Sequence, residues 1–285
     1  MAVKVLTDST SYIDKEITSN LDIKTVSLNV IFGNESFKEI DLVNETFYKT
    51  MEENGIPTSS QPSIEELYSQ MENVIKQGDD LLCVFLSSEM SGTFSTGNMV
   101  KNMILENYPK ANIEIVDSRS NSMQLGFAVI VAARAAKSGA SINEVKELAL
   151  ENINRSRFLF IPDSLKYLRK GGRMGGASAL FGSLLKIIPI LTVENGVTTV
   201  HTKVRTKKKA VITMIDKVLD DIEKYGLSEI VVHHINCYDE AEELAKTIGE
   251  KIDISISVCA LGPVIGLHVG PGTVAVAYYT NKNMR

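Results

Sequence analysis

Tryptophan is missing from the chain altogether, and cysteine occurs only three times, at Cys83, Cys237 and Cys259. Cysteines so far apart build neither a disulfide framework nor a zinc-binding spacing, and they fit a reducing cytoplasm. A basic excess is lacking too: 30 Lys and Arg stand against 35 Asp and Glu, a formal net charge of −5. That balance argues against nucleic acid or an anionic membrane surface as the main partner. No apolar run reaches the ~18 residues of a spanning helix. Met1–Asp8 lacks the charged and apolar regions of a secretory signal.

The usual engines of chemistry are missing as well. There is no G-x-x-x-x-G-K-[ST] and no G-x-G-x-x-G after a strand, so no nucleotide cradle is expected. Around Ser91 the nucleophile-elbow pattern G-x-S-x-G fails, because Glu89 stands where its first glycine belongs. His233 and His234 are adjacent in an expected strand, so they point to opposite faces and do not share an ion easily. Asp8, Asp117 and Asp163 each follow an expected strand and read most simply as helix caps. Neither a metal nor a cofactor is expected.

What is present is an ordinary globular balance, 44% apolar and 23% charged over 285 residues, enough for two domains. The ten methionines read as core filler. In the first half, short apolar runs (Val3–Leu6, Ile23–Phe32, Leu81–Leu86, Asn112–Val116) alternate with helical segments at Asn44–Asn54, Ser63–Lys76, Thr93–Tyr108, Ser122–Lys137 and Ser141–Asn154. Such alternation predicts a parallel sheet with helices on both faces. After residue 157 the pattern changes. Phe158–Ile161 is an expected strand, followed by one or two helical turns at Ser164–Arg169 and a short apolar helix at Ala177–Lys186. Asn195-Gly196 between two β-rich runs predicts a hairpin. A helix over Thr206–Tyr225, a βα unit over Glu229–Glu250, and strands at Ile254–Ala260 and Thr273–Tyr279 complete a mixed sheet with helices. The expected organisation is α/β throughout, residues 1–157 and 158–285 forming two closely packed domains.

The stretch Ser87–Thr96, SSEMSGTFST, sits where a buried strand ends and a helix begins. Ligands of α/β sheets bind at such ends, and a free helix N-terminus suits an anion. Ser59 and Ser60 lie between Pro57 and Pro62; Ser63 with Glu66 forms the capping box of the next helix, which leaves them as solvated loop hydroxyls. His268 lies in a glycine-rich loop, Gly262–Gly272, and with Ser91 it is the one pair that suits an acyl hydrolase or transferase. Leu180, Phe181, Leu184, Leu185, Ile187, Ile188 and Ile190 crowd one stretch, and Val264, Ile265, Leu267 and Val269 another. They fit either a plain core or an apolar slot between the domains.

The whole chain resembles the DegV family of bacterial fatty-acid-binding proteins. The resemblance rests on Thr7-Asp8-Ser9-Thr10, Ser59-Ser60-Gln61-Pro62-Ser63, SSEMSGTF at 87–94, Asp117-Ser118, Tyr167–Arg173 and GPVIGLHVGPG at 262–272, six motifs in order. It implies one DegV domain over about residues 3–281, built from two α/β parts with a long-chain fatty acid, such as palmitate or oleate, in a tunnel between them. It implies that Ser59 and Ser91 hold the carboxylate, with Ser60, Gly92, Thr93, Arg173 and His268 as further head-group candidates. Ser59 replaces the family's usual threonine, Phe94 a frequent tyrosine and Met174 a usual isoleucine; the hydroxyl that matters survives. Also implied is a non-catalytic role in lipid transport or fatty acid metabolism, with the bound acid presented to a separate ATP-dependent fatty acid kinase subunit. A regulatory module whose lipid is a signal is a third reading.

Overall fold

The computed structural model describes residues 2–180 and 187–284. In chain order the first half runs β1 (Val3–Asp8), α1 (Lys15–Asn20), β2 (Lys24–Val26), β3 (Asn29–Phe32), β4 (Glu35–Lys38), α2 (Asn44–Asn54), β5 (Thr58–Ser60), α3 (Ile64–Lys76), β6 (Asp80–Phe85), α4 (Thr93–Asn107), β7 (Ile113–Asp117), α5 (Ser122–Lys137) and α6 (Ile142–Arg155). The second half continues with β8 (Ser156–Ile161), α7 (Lys166–Lys170), β9 (Ile188–Glu194), β10 (Val197–Val204), α8 (Lys207–Tyr225), β11 (Glu229–Ile235), α9 (Tyr238–Ile252), β12 (Ser257–Ala260), α10 (Pro263–Val269) and β13 (Thr273–Tyr279).

The described residues form three sheets. β2-β1-β6-β7 is parallel throughout. Its strands alternate between two buried faces: Leu82 and Val84 enter one core, while Leu81, Cys83 and Phe85 enter another with Leu67 and Met71 of α3 and Ile104 of α4. That double burial is why β6 is a continuous apolar run. The second sheet, β10-β9-β8-β13-β11-β12, is mixed. Phe158 and Phe160 on its inner face join the same core as Val5, Val84 and Phe127, whereas Leu159 and Ile161 pack outward against Ala210 and Met214 of α8. The buried helix α5 packs on both β1 and β13, so one core serves both sheets and no linker composition separates them.

The expected run at Ile23–Phe32 is two strands in two different sheets. It breaks at Ser27-Leu28, where the Leu28 N–H turns to the Ser9 hydroxyl at 3.0 Å instead of a strand partner. β3 then founds a third, small antiparallel sheet, β4-β3-β5. Ser59 and Ser60, expected in a solvated loop, are half-buried in β5, with Ser59 opposite Val30. Asn44 does not cap α2; Val43 holds that position, and the Asn44 amide bonds the Leu261 carbonyl at 3.2 Å. Of the expected helix at Ala177–Lys186, the described part belongs to a 3₁₀ segment, Gly175–Leu180; Phe181, Leu184 and Leu185 lie outside the described residues. The glycine-rich stretch is not a loop: Pro263–Val269 is α10, with proline in its first turn.

Candidate functional site

The loop that follows β6 is braced from two sides. The buried Asp8 carboxylate accepts the Leu86 N–H at 2.8 Å, and Asp117 accepts the Ser88 N–H and hydroxyl at 3.2 and 2.6 Å. Asp8 also caps the turn at Ser9–Ser11, as read from the sequence, but its reach to Leu86 across the sheet had no sequence signal. Burial pushes the Asp8 carboxyl up to about 6. The β9–β10 hairpin tip docks on the same loop and its neighbour: the Ser87 hydroxyl donates to the Gly196 carbonyl at 2.7 Å, and Arg119, in the loop after β7, donates to the Asn195 carbonyl. Opposite, Arg173 bonds the Met90 carbonyl through Nε and Nη2, both at 3.1 Å, and the Gly171 carbonyl through Nη1. Loops far apart in the chain are thus tied into one rim.

Under that rim lies a cavity of about 310 Å³, at the small end of the ~300–1,000 Å³ usual for ligand pockets. Its polar lining comes from Ser59, Ser60, Ser91, Gly92, Arg173 and His268, and its apolar walls include Leu86, Phe158, Phe160, Leu168, Val264 and Ile265. Of the seven head-group candidates, only Thr93 does not line it; of the apolar residues expected beside them, Val264, Ile265 and Val269 line it, whereas Leu180, Ile187 and Ile188 line a separate groove and Ile190 and Leu267 line neither. Thr93 is fully buried and holds Ser91 from behind, hydroxyl to hydroxyl at 2.9 Å, while its N–H donates to Ser91 Oγ at 3.3 Å. Gln61 and Asn121 also line the cavity. The Gln61 amide donates to Thr96 Oγ1 at 2.6 Å, and the motif around Ser59 could have flagged it; nothing in the sequence flags Asn121. A second, more open groove of about 700 Å³ runs along Asp163, Lys166, Lys170 and Lys207 and shares no lining residue with the first.

His268 Nε2 lies 2.8 Å from Ser59 Oγ, whereas Nδ1 is buried without a hydrogen-bond partner. A buried, unpaired N–H costs more than an unpaired lone pair. The tautomer with the proton on Nε2 is therefore favoured: His268 donates to Ser59, and the Ser59 hydroxyl hydrogen is left to point at an acceptor in the cavity. Burial, and then the charge of Arg173, lower the imidazole to about 4, so it is neutral at physiological pH. The ring fits only because residue 171 is glycine: a β-carbon there would fall 2.1 Å from Nδ1.

Catalysis by a serine would need a base oriented by a third group. His268 does not pair with Ser91, whose hydroxyl turns to Thr93. Among the described residues no carboxylate stands behind Nδ1, and an imidazole with a value near 4 is a weak base at neutral pH. Among the described residues, no group of three or more His, Cys, Asp or Glu could hold a metal ion, and no helix is long and apolar enough to cross a membrane.

The profile of the DegV family, described as uncharacterised protein, matches residues 2–281. A DegV domain-containing protein of Clostridium acetobutylicum is 61% identical over 285 residues, the full length of both chains. The crystal structure of DegV from Bacillus subtilis, a fatty acid binding protein, superimposes with a TM-score of 0.88 at 34% identity, covering 98% of this chain and 99% of that one. A DegV lipid binding protein from Thermotoga maritima superimposes with a TM-score of 0.83 at 28% identity, covering 99% and 100%.

Proposed function

The chain belongs to the DegV family, and from that membership and the chemistry of the cavity we propose that it binds a long-chain fatty acid such as palmitate or oleate, its carboxylate held by Ser59 and Ser91. The observation that carries this reading is the His268–Ser59 pair, which leaves the Ser59 hydroxyl free to donate into a cavity whose remaining walls are largely apolar. A hydrogen bond to a carboxylate contributes ~1.5–3 kcal/mol, and each buried methylene about 0.8 kcal/mol, so a long chain supplies most of the affinity and the hydroxyls fix its direction.

Arg173 is committed to the carbonyls of Met90 and Gly171, which makes it a clamp on the rim and a source of positive potential beside the head group. Residues 1–157 contribute the serines and residues 158–285 much of the apolar wall, so the acid lies between two parts of the fold. The protein is a carrier, not a catalyst: it presents the bound acid to a separate ATP-dependent kinase subunit. Oleate and ATP should give no acyl phosphate with this chain alone, and turnover without a partner would overturn the carrier role.

The direct test is mass spectrometry of gently purified protein, which should release a fatty acid. Protein that is empty and takes up neither palmitate nor oleate would exclude the reading. Ser91→Ala should weaken oleate binding about tenfold, as expected for one lost charge-assisted hydrogen bond. Lys76→Ala, at an exposed ion pair with Glu72, should change nothing.

A further inference from the structure

His268 is carried by α10, and α10 is held at one end by the small sheet and at the other by the turns that follow β4 and β1. At its far end His268 meets Ser59 of β5. At its start, the Val264 N–H donates to Glu39 Oε1 at 2.9 Å, and the Ile265 N–H donates to the Tyr12 hydroxyl at 3.2 Å. Tyr12 in turn donates to Glu39 Oε1 at 2.7 Å, and the Ser9 hydroxyl donates to Glu39 Oε2. Glu39 directly follows β4, the strand that pairs with β3, which pairs with β5. Glu39 is 4% exposed, and the described partners of its carboxylate are hydroxyls and an N–H, with no cation among them.

A buried carboxylate without a cation is costly to keep, and here it satisfies an N–H at the start of a seven-residue helix that no side chain caps from within. We propose that Glu39 is a positioning residue for the head-group site: through Val264 it fixes the placement of α10, and thereby sets His268 Nε2 on the Ser59 hydroxyl. Glu39 does not line the cavity; it acts through the helix. The inference rests on the reading that Ser59 receives the carboxylate.

Removal of the acceptor in Glu39→Ala leaves the Val264 N–H and the Tyr12 and Ser9 hydroxyls without their partner, and α10 shifts. Oleate affinity should fall about tenfold in the otherwise native chain, the scale of one charged hydrogen bond. The same change made in a His268→Ala chain should cost almost nothing, because the pair that Glu39 positions is already gone. Glu39→Gln, whose carbonyl can still accept the Val264 N–H, should restore most of the affinity. Additive losses in the two backgrounds would overturn the proposal.

A readout without ligand separates this inference from the function itself. In the apo protein the imidazole ¹⁵N shifts of His268 should move in Glu39→Ala and return in Glu39→Gln; unchanged shifts would overturn the positioning role even if oleate binds. Failure of the native protein to bind oleate would overturn the carboxylate reading and leave the shifts to decide the placement of His268. Should Glu39→Ala not fold, Tyr12→Phe removes the acceptor of the Ile265 N–H and is expected to give the same non-additive pattern.

Discussion

Gly270→Ala is expected to destabilise the protein by about 3 kcal/mol or more, the sum of two costs at one position. The residue ends α10 with φ 94° and ψ 156°, where the backbone is open to glycine alone, and its N–H bonds the Gly266 carbonyl at 2.8 Å. A side chain in that conformation costs ~1–3 kcal/mol. In addition, a β-carbon at residue 270 would fall 2.1 Å from Cδ2 of the Tyr167 ring, which is packed against the end of the helix. Overpacking of that kind costs ~1–3 kcal/mol more. Gly139 supplies the control, since it also has a positive φ, 86°, but a β-carbon there meets nothing within 4 Å. Urea unfolding of the two alanine variants should therefore show a clearly larger loss of midpoint for Gly270 at unchanged m-value. Equal losses would mean that Tyr167 yields freely and does not lock α10. Because α10 carries His268, the proposed function implies that the variant also binds oleate more weakly than its residual stability explains.

The same helix marks the limit of what the sequence made legible. The parallel sheet, the mixed sheet, the Asn195-Gly196 hairpin and the span of α5 follow from periodicity and turn chemistry that are local, and local signals survive in a string of residues. α10 was hidden because four glycines in eleven residues at 262–272 outweigh a proline at a helix start and the apolar spacing of Val264, Leu267 and Val269. β5 was hidden for a related reason: three of the four residues between Pro57 and Pro62 make a strand only because β3 lies beside them. The hydroxyl motifs around Ser59 and Ser91 were visible as sequence, and a resemblance gave them a use. Their partners were not visible. That Ser59 meets His268 and that Glu39 meets Val264 depend on chain separations of 209 and 225 residues. No pattern along the chain encodes such a meeting; it follows from how the small sheet closes over α10.

Acid should expose a second buried histidine on the inner face of the mixed sheet. His233 is fully buried, its Nδ1–H donates to the Cys259 carbonyl at 3.1 Å, and Nε2 has no hydrogen-bond partner. Burial lowers it to about 4 from an ordinary value near 6.5. As pH falls from 6.5, the unfolded chain takes up this proton first, while the folded chain resists until about pH 4. Stability therefore drops through that window, by about 3 kcal/mol for this one group. His268 adds a drop of the same sign. Asp8 opposes both: its carboxyl is raised by burial to about 6, so the folded chain holds that proton more readily and gains stability as pH falls. The buried Glu39 acts in the same direction as Asp8. The total pH profile is thus a contest of signs, and the clean quantity is a difference. In His233→Asn, whose amide can still donate to the Cys259 carbonyl, the loss of stability between pH 7 and pH 4 should be about 3 kcal/mol smaller than in the native protein. Urea titrations at both pH values measure it. Parallel profiles would show that His233 is protonated in the folded state without cost, and that the core beside Phe158, whose ring centroid lies 6.1 Å from the imidazole, admits water. Phe158 also walls the cavity, so a dry His233 and a dry cavity stand or fall on the same packing.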